Sequence, residues 1–203
     1  MDGDVADIQK LVELKEKYNC LLMIDEAHAF GVFGENLCGI SEENNSLGKI
    51  DIITITLGKA LGSMGAICIS NKIIIEYLIN KASGFIFSTA IPSINVMWSN
   101  FLLEEKFSFL KEQQEKLKKL YKEVHLIYPT NSVSQIIPVI IGDAQKTKDL
   151  ALNLQEQGYY VLPINPPTVP INTSRLRISL TADIELKEII NFFELIKEAK
   201  NEL

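Results

Sequence analysis

Near the start of the chain, Val5, Ile8, Leu11 and Val12 recur at helical spacing, with Asp4 in front as a candidate cap, and predict a first amphipathic helix. Leu21 to Ile24 is a short apolar run that reads as a buried strand ending at Asp25. A second run, Ile50 to Ile55, is rich in β-branched residues and leads into Thr56-Leu57-Gly58-Lys59. A third, Ala66 to Ile69, follows a glycine-containing link. Continuously apolar strands alternating with helices predict an α/β fold with its sheet covered on both faces. Leu78, Ile79, Ala82 and the residues before them suit a helix, and Pro92 opens another through Met97, Trp98 and Leu102.

From Glu104 to Lys122 the chain turns Lys- and Glu-rich, with Leu110, Leu117 and Leu120 at helical spacing, which predicts a long helix joining two domains. Beyond it the pattern predicts a strand over Gln135 to Ile141, a helix over Ala144 to Gln157 stopped by Gly158, strands over Tyr160 to Ile164 and Arg175 to Leu180, and a closing helix over Ile184 to Lys200. The expected division is residues 1–100 and 101–203, the second part comprising the linking helix and a small α+β domain.

Composition narrows the function classes. The 203 residues carry 20 Lys and Arg against 26 Asp and Glu, a net charge of −6, which argues against a nucleic-acid backbone as partner. No stretch has the length of apolar residues a membrane span requires, and the acidic Met1-Asp2-Gly3-Asp4 start is unlike a secretory signal, so a cytoplasmic protein is expected. Cys20, Cys38 and Cys68 form no C-x-x-C pair, and with only His28 and His125 besides, neither a disulfide framework nor a metal site is indicated.

Two ionisable residues follow strands, where open α/β sheets place their ligands. Asp25 lies in Ile24-Asp25-Glu26-Ala27-His28, and Lys59 lies between Thr56-Leu57-Gly58 and Ala60-Leu61-Gly62. Taken singly, Asp25 reads equally as a turn cap and Lys59 as a solvated charge. Together they suggest a lysine that forms a Schiff base with an aldehyde cofactor and a carboxylate that keeps a pyridine nitrogen protonated, the arrangement that makes pyridoxal phosphate an electron sink. An imidazole at His28 would reach a phenolate oxygen or a substrate carbonyl. The D-E-A-H string also matches the magnesium-holding strand end of helicase-type ATPases. That machinery needs a G-x-x-x-x-G-K-[ST] loop, and after Gly34 and Gly39 the lysine position holds Ile40.

The full set of motifs resembles the α-oxoamine synthase family, pyridoxal-phosphate enzymes of fold type I that condense an amino acid with an acyl thioester and release carbon dioxide. Its carriers are Met1 to Asp4, Ile24 to His28 with Gly31-Val32-Phe33-Gly34 and Gly39, Thr56 to Gly62, Phe87-Ser88-Thr89, Pro166-Pro167-Thr168-Val169-Pro170 and Arg175-Leu176-Arg177. The resemblance implies a mixed, mostly parallel sheet from the C-terminal part of the large cofactor domain, followed by the small domain. Pro166 to Pro170 and Ser88-Thr89 look most like the members that join L-alanine to a pimeloyl thioester in biotin synthesis. Gly58 to Gly62 looks equally like the members that acetylate glycine.

Carried over by position, the resemblance makes Lys59 the cofactor-bonding lysine and the base, Asp25 the partner of the pyridinium nitrogen, and His28 the contact of the phenolate oxygen. It implies that Thr56 binds the cofactor phosphate, that Ser88 and Thr89 reach the phosphate held by the other subunit of a homodimer, and that Thr168 and Arg177 contact substrate. The acyl carrier, coenzyme A or a carrier protein, stays open. Arg175 and Arg177 alternate with Leu176 and Ile178, so a strand would put both arginines on one face, where alone they read as solvated. His125 reads as surface and Asp143 as a turn or helix cap. Family members are about twice as long, and the match begins in mid-domain. The chain therefore reads as a C-terminal fragment lacking the glycine turn for the phosphate, the stacking aromatic and the serine before Met1, and is expected to be poorly soluble and inactive alone.

Overall fold

The computed structural model describes residues 1–202 and divides the chain into two compact units, one of Ala6–Gln114 and the other of Met1–Val5 with the residues from Glu115 onward. The first unit runs α1 (Ile8–Tyr18), β1 (Met23–Asp25), α2 (Ile40–Glu43), β2 (Ile52–Thr56), β3 (Ala66–Ser70), α3 (Lys72–Lys81), α4 (Ser83–Ile86), α5 (Ser93–Glu104) and the start of α6 (Phe107–Ile127). The second adds β4 (Ile136–Gly142), α7 (Ala144–Glu156), β5 (Pro163–Ile164), β6 (Ser174–Ser179) and α8 (Leu186–Glu202). Among the described residues no helix is long and apolar enough to cross a membrane.

In the first unit the strands are ordered β1-β2-β3, with β1 parallel and β3 antiparallel to β2. The sequence placed the cap of α1 at Asp4. It is Asp7, whose carboxylate accepts the Lys10 N–H at 3.1 Å, because the cap must directly precede the first helical turn. Ile8 and Val12 on α1 are buried with Phe33 and Ile40, which packs the helix against the segment after β1. Asp51, just before β2, accepts the Leu22 N–H at 2.7 Å and pairs with Lys15 of α1 at 2.8 Å, and those two donors hold its carboxyl below the usual aspartate value. Ile53 and Ile55 of β2 are buried, whereas Met23, Ile67 and Ile69 on the flanking strands are exposed, so the sheet is not covered on both faces within the described residues. The predicted helix from Glu104 is interrupted, since the Glu105 and Lys106 N–H groups both turn back to the Phe101 carbonyl and α6 starts at Phe107.

The second unit is an antiparallel sheet ordered β4-β6-β5 with a core of Val124, Ile137, Val139, Leu154, Leu176, Phe193 and Ile196. Asp143 caps α7 by accepting the Lys146 N–H at 2.8 Å. The strand predicted over Tyr160 to Ile164 is shorter: Gln155 of α7 donates its side-chain amide to the Val161 carbonyl at 2.8 Å, and only Pro163 and Ile164 pair with β6. His125, expected at the surface, is half-buried with Nε2 3.0 Å from the Ser134 carbonyl. Met1–Val5 is tied in by the Val133 N–H, which donates to the Gly3 carbonyl at 3.0 Å, and by an ion pair of Asp2 with buried Arg175.

Candidate active site

The parallel pairing of β1 with β2 sets Asp25 opposite Thr54, so the carboxylate and the Thr56 to Lys59 segment leave the sheet at the same end. Asp25 is exposed at its strand terminus, and one carboxylate oxygen accepts the Ala27 N–H at 2.9 Å. That Asx-type contact starts the turn in which the Ala29 and Phe30 N–H groups donate to the Glu26 carbonyl at 2.9 and 2.8 Å. His28 rides on this turn with its side chain exposed.

Lys59 sits past the end of β2, exposed, and its ammonium donates to the Thr56 hydroxyl at 3.1 Å. The turn is built by backbone bonds: Gly62 N–H to the Lys59 carbonyl, Ser63 N–H to Leu57, and Leu57 N–H to Gly65. The Trp98 indole donates to the Leu61 carbonyl at 2.9 Å, and the Ser63 hydroxyl donates to the Asn95 carbonyl at 2.9 Å, so α5 braces this turn. The loop after His28 meets it as well. A Cβ on Gly31 would overlap the side chain of Ala60, so this approach admits only glycine.

The loop from His28 to Gly39 is fastened at several points. Gln114 on α6 donates its amide to the Val32 and Gly34 carbonyls at 3.1 and 2.9 Å. Glu42 accepts the Asn36 and Cys38 N–H groups at 2.9 and 3.0 Å; burial works to raise its carboxyl, but these donors and nearby Lys111 outweigh it and hold it below its ordinary value. Burial pushes the Cys38 thiol up, with Glu42 and Glu26 adding to the shift. Glu26, which an ATPase would aim at water, is 1% exposed and instead accepts the Ile40 and Ser41 N–H groups at the start of α2.

The remaining predicted residues lie on other segments of the two units. Ser88 and Thr89 follow α4 and are exposed, with the Ser88 hydroxyl donating to the Phe85 carbonyl at 3.1 Å. Thr168 lies in the other unit, exposed on a turn that contains a cis Pro166-Pro167 bond and is anchored by buried Val169. Arg177 is half-buried on β6, and its Nε is enclosed with no hydrogen-bond partner among the described residues. It lines a cavity of about 200 Å³ with Tyr159, Glu188 and Phe192. Arg175 differs from it, being buried and committed to Asp2 and the Thr173 carbonyl.

Sequence reasoning missed Trp98, Ser63, Gln114 and the role of Glu26. Each acts through a backbone partner far along the chain, a relation that periodicity does not register. An acidic side chain immediately after an apolar strand and next to Asp25 was the one available signal.

The donor set of amine, carboxylate, imidazole and hydroxyl at the end of two parallel strands fits an aldehyde cofactor with a cationic ring and a phosphate. The model for aminotransferase class I and II matches residues 1–196. A Pasteurella multocida protein provisionally named 8-amino-7-oxononanoate synthase is 44% identical over 98% of this chain and 53% of its own length. Serine palmitoyltransferase of Sphingomonas wittichii superposes with a TM-score of 0.86 at 26% identity, over 98% of this chain and 53% of that one. An 8-amino-7-oxononanoate synthase from Francisella tularensis gives 0.82 at 26% identity, over 100% and 61%. The chain thus spans about half the length of the curated relatives it matches.

Proposed function

The chain belongs to the aminotransferase class I and II family, and on that premise we propose that it carries the cofactor-binding centre of a pyridoxal-phosphate acyltransferase. The reaction proposed joins L-alanine to a pimeloyl thioester, releasing carbon dioxide and the free thiol and giving 8-amino-7-oxononanoate, a step toward biotin. The observation that carries this reading is the pairing of the Lys59 ammonium with Thr56 at 3.1 Å beside the strand end that bears Asp25.

When bound, pyridoxal phosphate supplies an electron sink for the charge that develops at the amino acid's α-carbon. Lys59 would hold the cofactor through its amine, and the same Nζ would serve as the base for the α-proton of the amino acid. The Asp25 carboxylate, which accepts the Ala27 N–H through Oδ1, would keep a proton on the ring nitrogen by opposite charge. His28 would donate to the phenolate oxygen and polarise the ketone, Thr56 would bind the phosphate, and Thr168 would contact substrate. Arg177 would receive the substrate carboxylate, for which a planar guanidinium with an enclosed N–H that has no partner among the described residues is suited. Ser88 and Thr89 would reach the phosphate in a second copy of the chain. Phe85, Phe87 and Ile94 around them are 64%, 86% and 69% exposed, an apolar surface suited to a homodimer.

The test is borohydride reduction of the protein in pyridoxal phosphate, followed by peptide mass mapping. The expected label lies on Lys59, and label on any other lysine refutes the reading. Turnover of glycine with acetyl-CoA in preference to L-alanine with pimeloyl-CoA would reassign the substrates while leaving the cofactor site intact.

A further inference from the structure

Glu26 belongs to the D-E-A-H string, yet the proposed chemistry uses only its neighbours Asp25 and His28. Its side chain is 1% exposed. One carboxylate oxygen accepts the Ile40 N–H at 3.0 Å, and the other accepts the Ser41 N–H at 2.7 Å together with the Ser41 hydroxyl. Those partners lie 14 and 15 residues away, so the carboxylate closes the whole Ala27–Gly39 loop into a ring. Its backbone is engaged at both ends too: the Glu26 N–H donates to the Thr54 carbonyl of β2 at 2.8 Å, and its carbonyl accepts the turn that carries His28. Gly39 leaves room for the carboxylate, because a Cβ there would overlap it.

We propose that Glu26 is a positioning residue, holding the strand end that bears Asp25 and the turn that bears His28 in one arrangement for the cofactor. This rests on the reading under Proposed function. The chemistry of the side chain matters beyond its bulk. A carboxylate offers only acceptors to three donors, whereas glutamine must turn its NH₂ toward one of two backbone N–H groups. An apolar residue of similar size would fill the space at no cost of burying a polar group, but would leave the Ile40 and Ser41 N–H groups unpaired.

The experiment titrates wild type, Glu26→Gln and Ser41→Ala with pyridoxal phosphate, following the absorption band of the bound cofactor and its pH midpoint. Circular dichroism reports folding. Ser132→Ala is the control, since it removes a buried hydroxyl from a network with the Gly3 and Ile136 carbonyls in the other unit. In Glu26→Gln the dissociation constant for the cofactor is expected to rise about tenfold, the scale on which groups that orient ligating side chains act. The pH midpoint should move with it, and Ser41→Ala should shift both in the same direction by less. Ser132→Ala should lower the thermal midpoint alone. Should Glu26→Gln not fold, Ser41→Ala decides. Unchanged affinity and pH midpoint in the folded variants would overturn the proposal, as would failure of both to fold, which leaves Glu26 a structural role only. Failure of wild type to bind the cofactor is a different result, because it removes the functional reading and the positioning role with it.

Discussion

At Arg177 the guanidinium Nε–H is enclosed with no acceptor among the described residues, while Arg175, two residues earlier, spends its donors on Asp2 and Thr173. The same strand therefore holds one arginine fixed by protein contacts and one, Arg177, that the proposed function assigns to the substrate carboxylate. Arg177→Lys keeps the charge but loses the fork, and a charge-assisted hydrogen bond is worth about 1.5–3 kcal/mol. The expected result is a KM for the amino acid raised about 10- to 100-fold, read from steady-state kinetics, with Arg177→Lys still labelled at Lys59 by borohydride. An unchanged KM would remove Arg177 from the substrate site. Gly39 poses a backbone question. Its φ of 93° and ψ of −165° lie in a region open essentially to glycine alone, where other residues pay about 1–3 kcal/mol of strain. Gly39→Ala adds an overlap with Glu26, so denaturant unfolding should show a loss at or above the upper end of that range. The strand ends that carry Asp25 and lead into Thr56 to Lys59 were legible in the sequence because each closes an unbroken apolar run. The Glu26 ring was not, since its partners become neighbours only when the loop closes.

Among the elements, β2 could be read directly because its β-branched run is buried at Ile53 and Ile55, and burial is what an unbroken apolar run encodes. The strand predicted over Tyr160 to Ile164 was overread. Tyr160 is 81% exposed, and the Val161 carbonyl goes to a glutamine on α7, a competing acceptor–donor match that hydropathy does not see. The start of α1 was displaced for a related reason: Asp4 and Asp7 are equal as caps in sequence, and Met1–Val5 is drawn into the other unit by Gly3 and Asp2. The link of α1 to the sheet carries a pH dependence. Asp51 has its carboxyl lowered by the Leu22 N–H and by Lys15, so it favours the folded state above the unfolded aspartate value of about 3.9 and loses that contribution as pH falls through its lower folded value. Wild type should thus lose stability from about pH 4 downward more steeply than Asp51→Asn, measured by thermal melts across that range. Equal slopes would mean that the Lys15 pair is too well solvated to matter.

For the whole molecule, the distribution of apolar surface decides how the isolated 203-residue chain behaves. Phe85, Phe87, Ile94 and Met97 on and beside α4 and α5 are 64–86% exposed, and Ile73 and Tyr77 on α3 are 80% and 65% exposed. Met23 and Ile69 extend the apolar exposure to both edge strands of the sheet around β2. Surfaces of this kind on soluble proteins belong to contacts, and open strand edges add unpaired backbone groups to the same region. The chain alone is therefore expected to associate with rising concentration and to turn over L-alanine and pimeloyl-CoA poorly, as read by light scattering and a thiol-release assay. Phe87→Glu separates the sources of that association. Its side chain is 86% exposed, so the substitution should leave the fold intact while reducing association if the surface beside Ser88 and Thr89 is the contact. Association unchanged by Phe87→Glu would point to the sheet edges instead, and a monodisperse monomer with full turnover would show that neither surface needs a partner and that Ser88 and Thr89 have no second copy to serve.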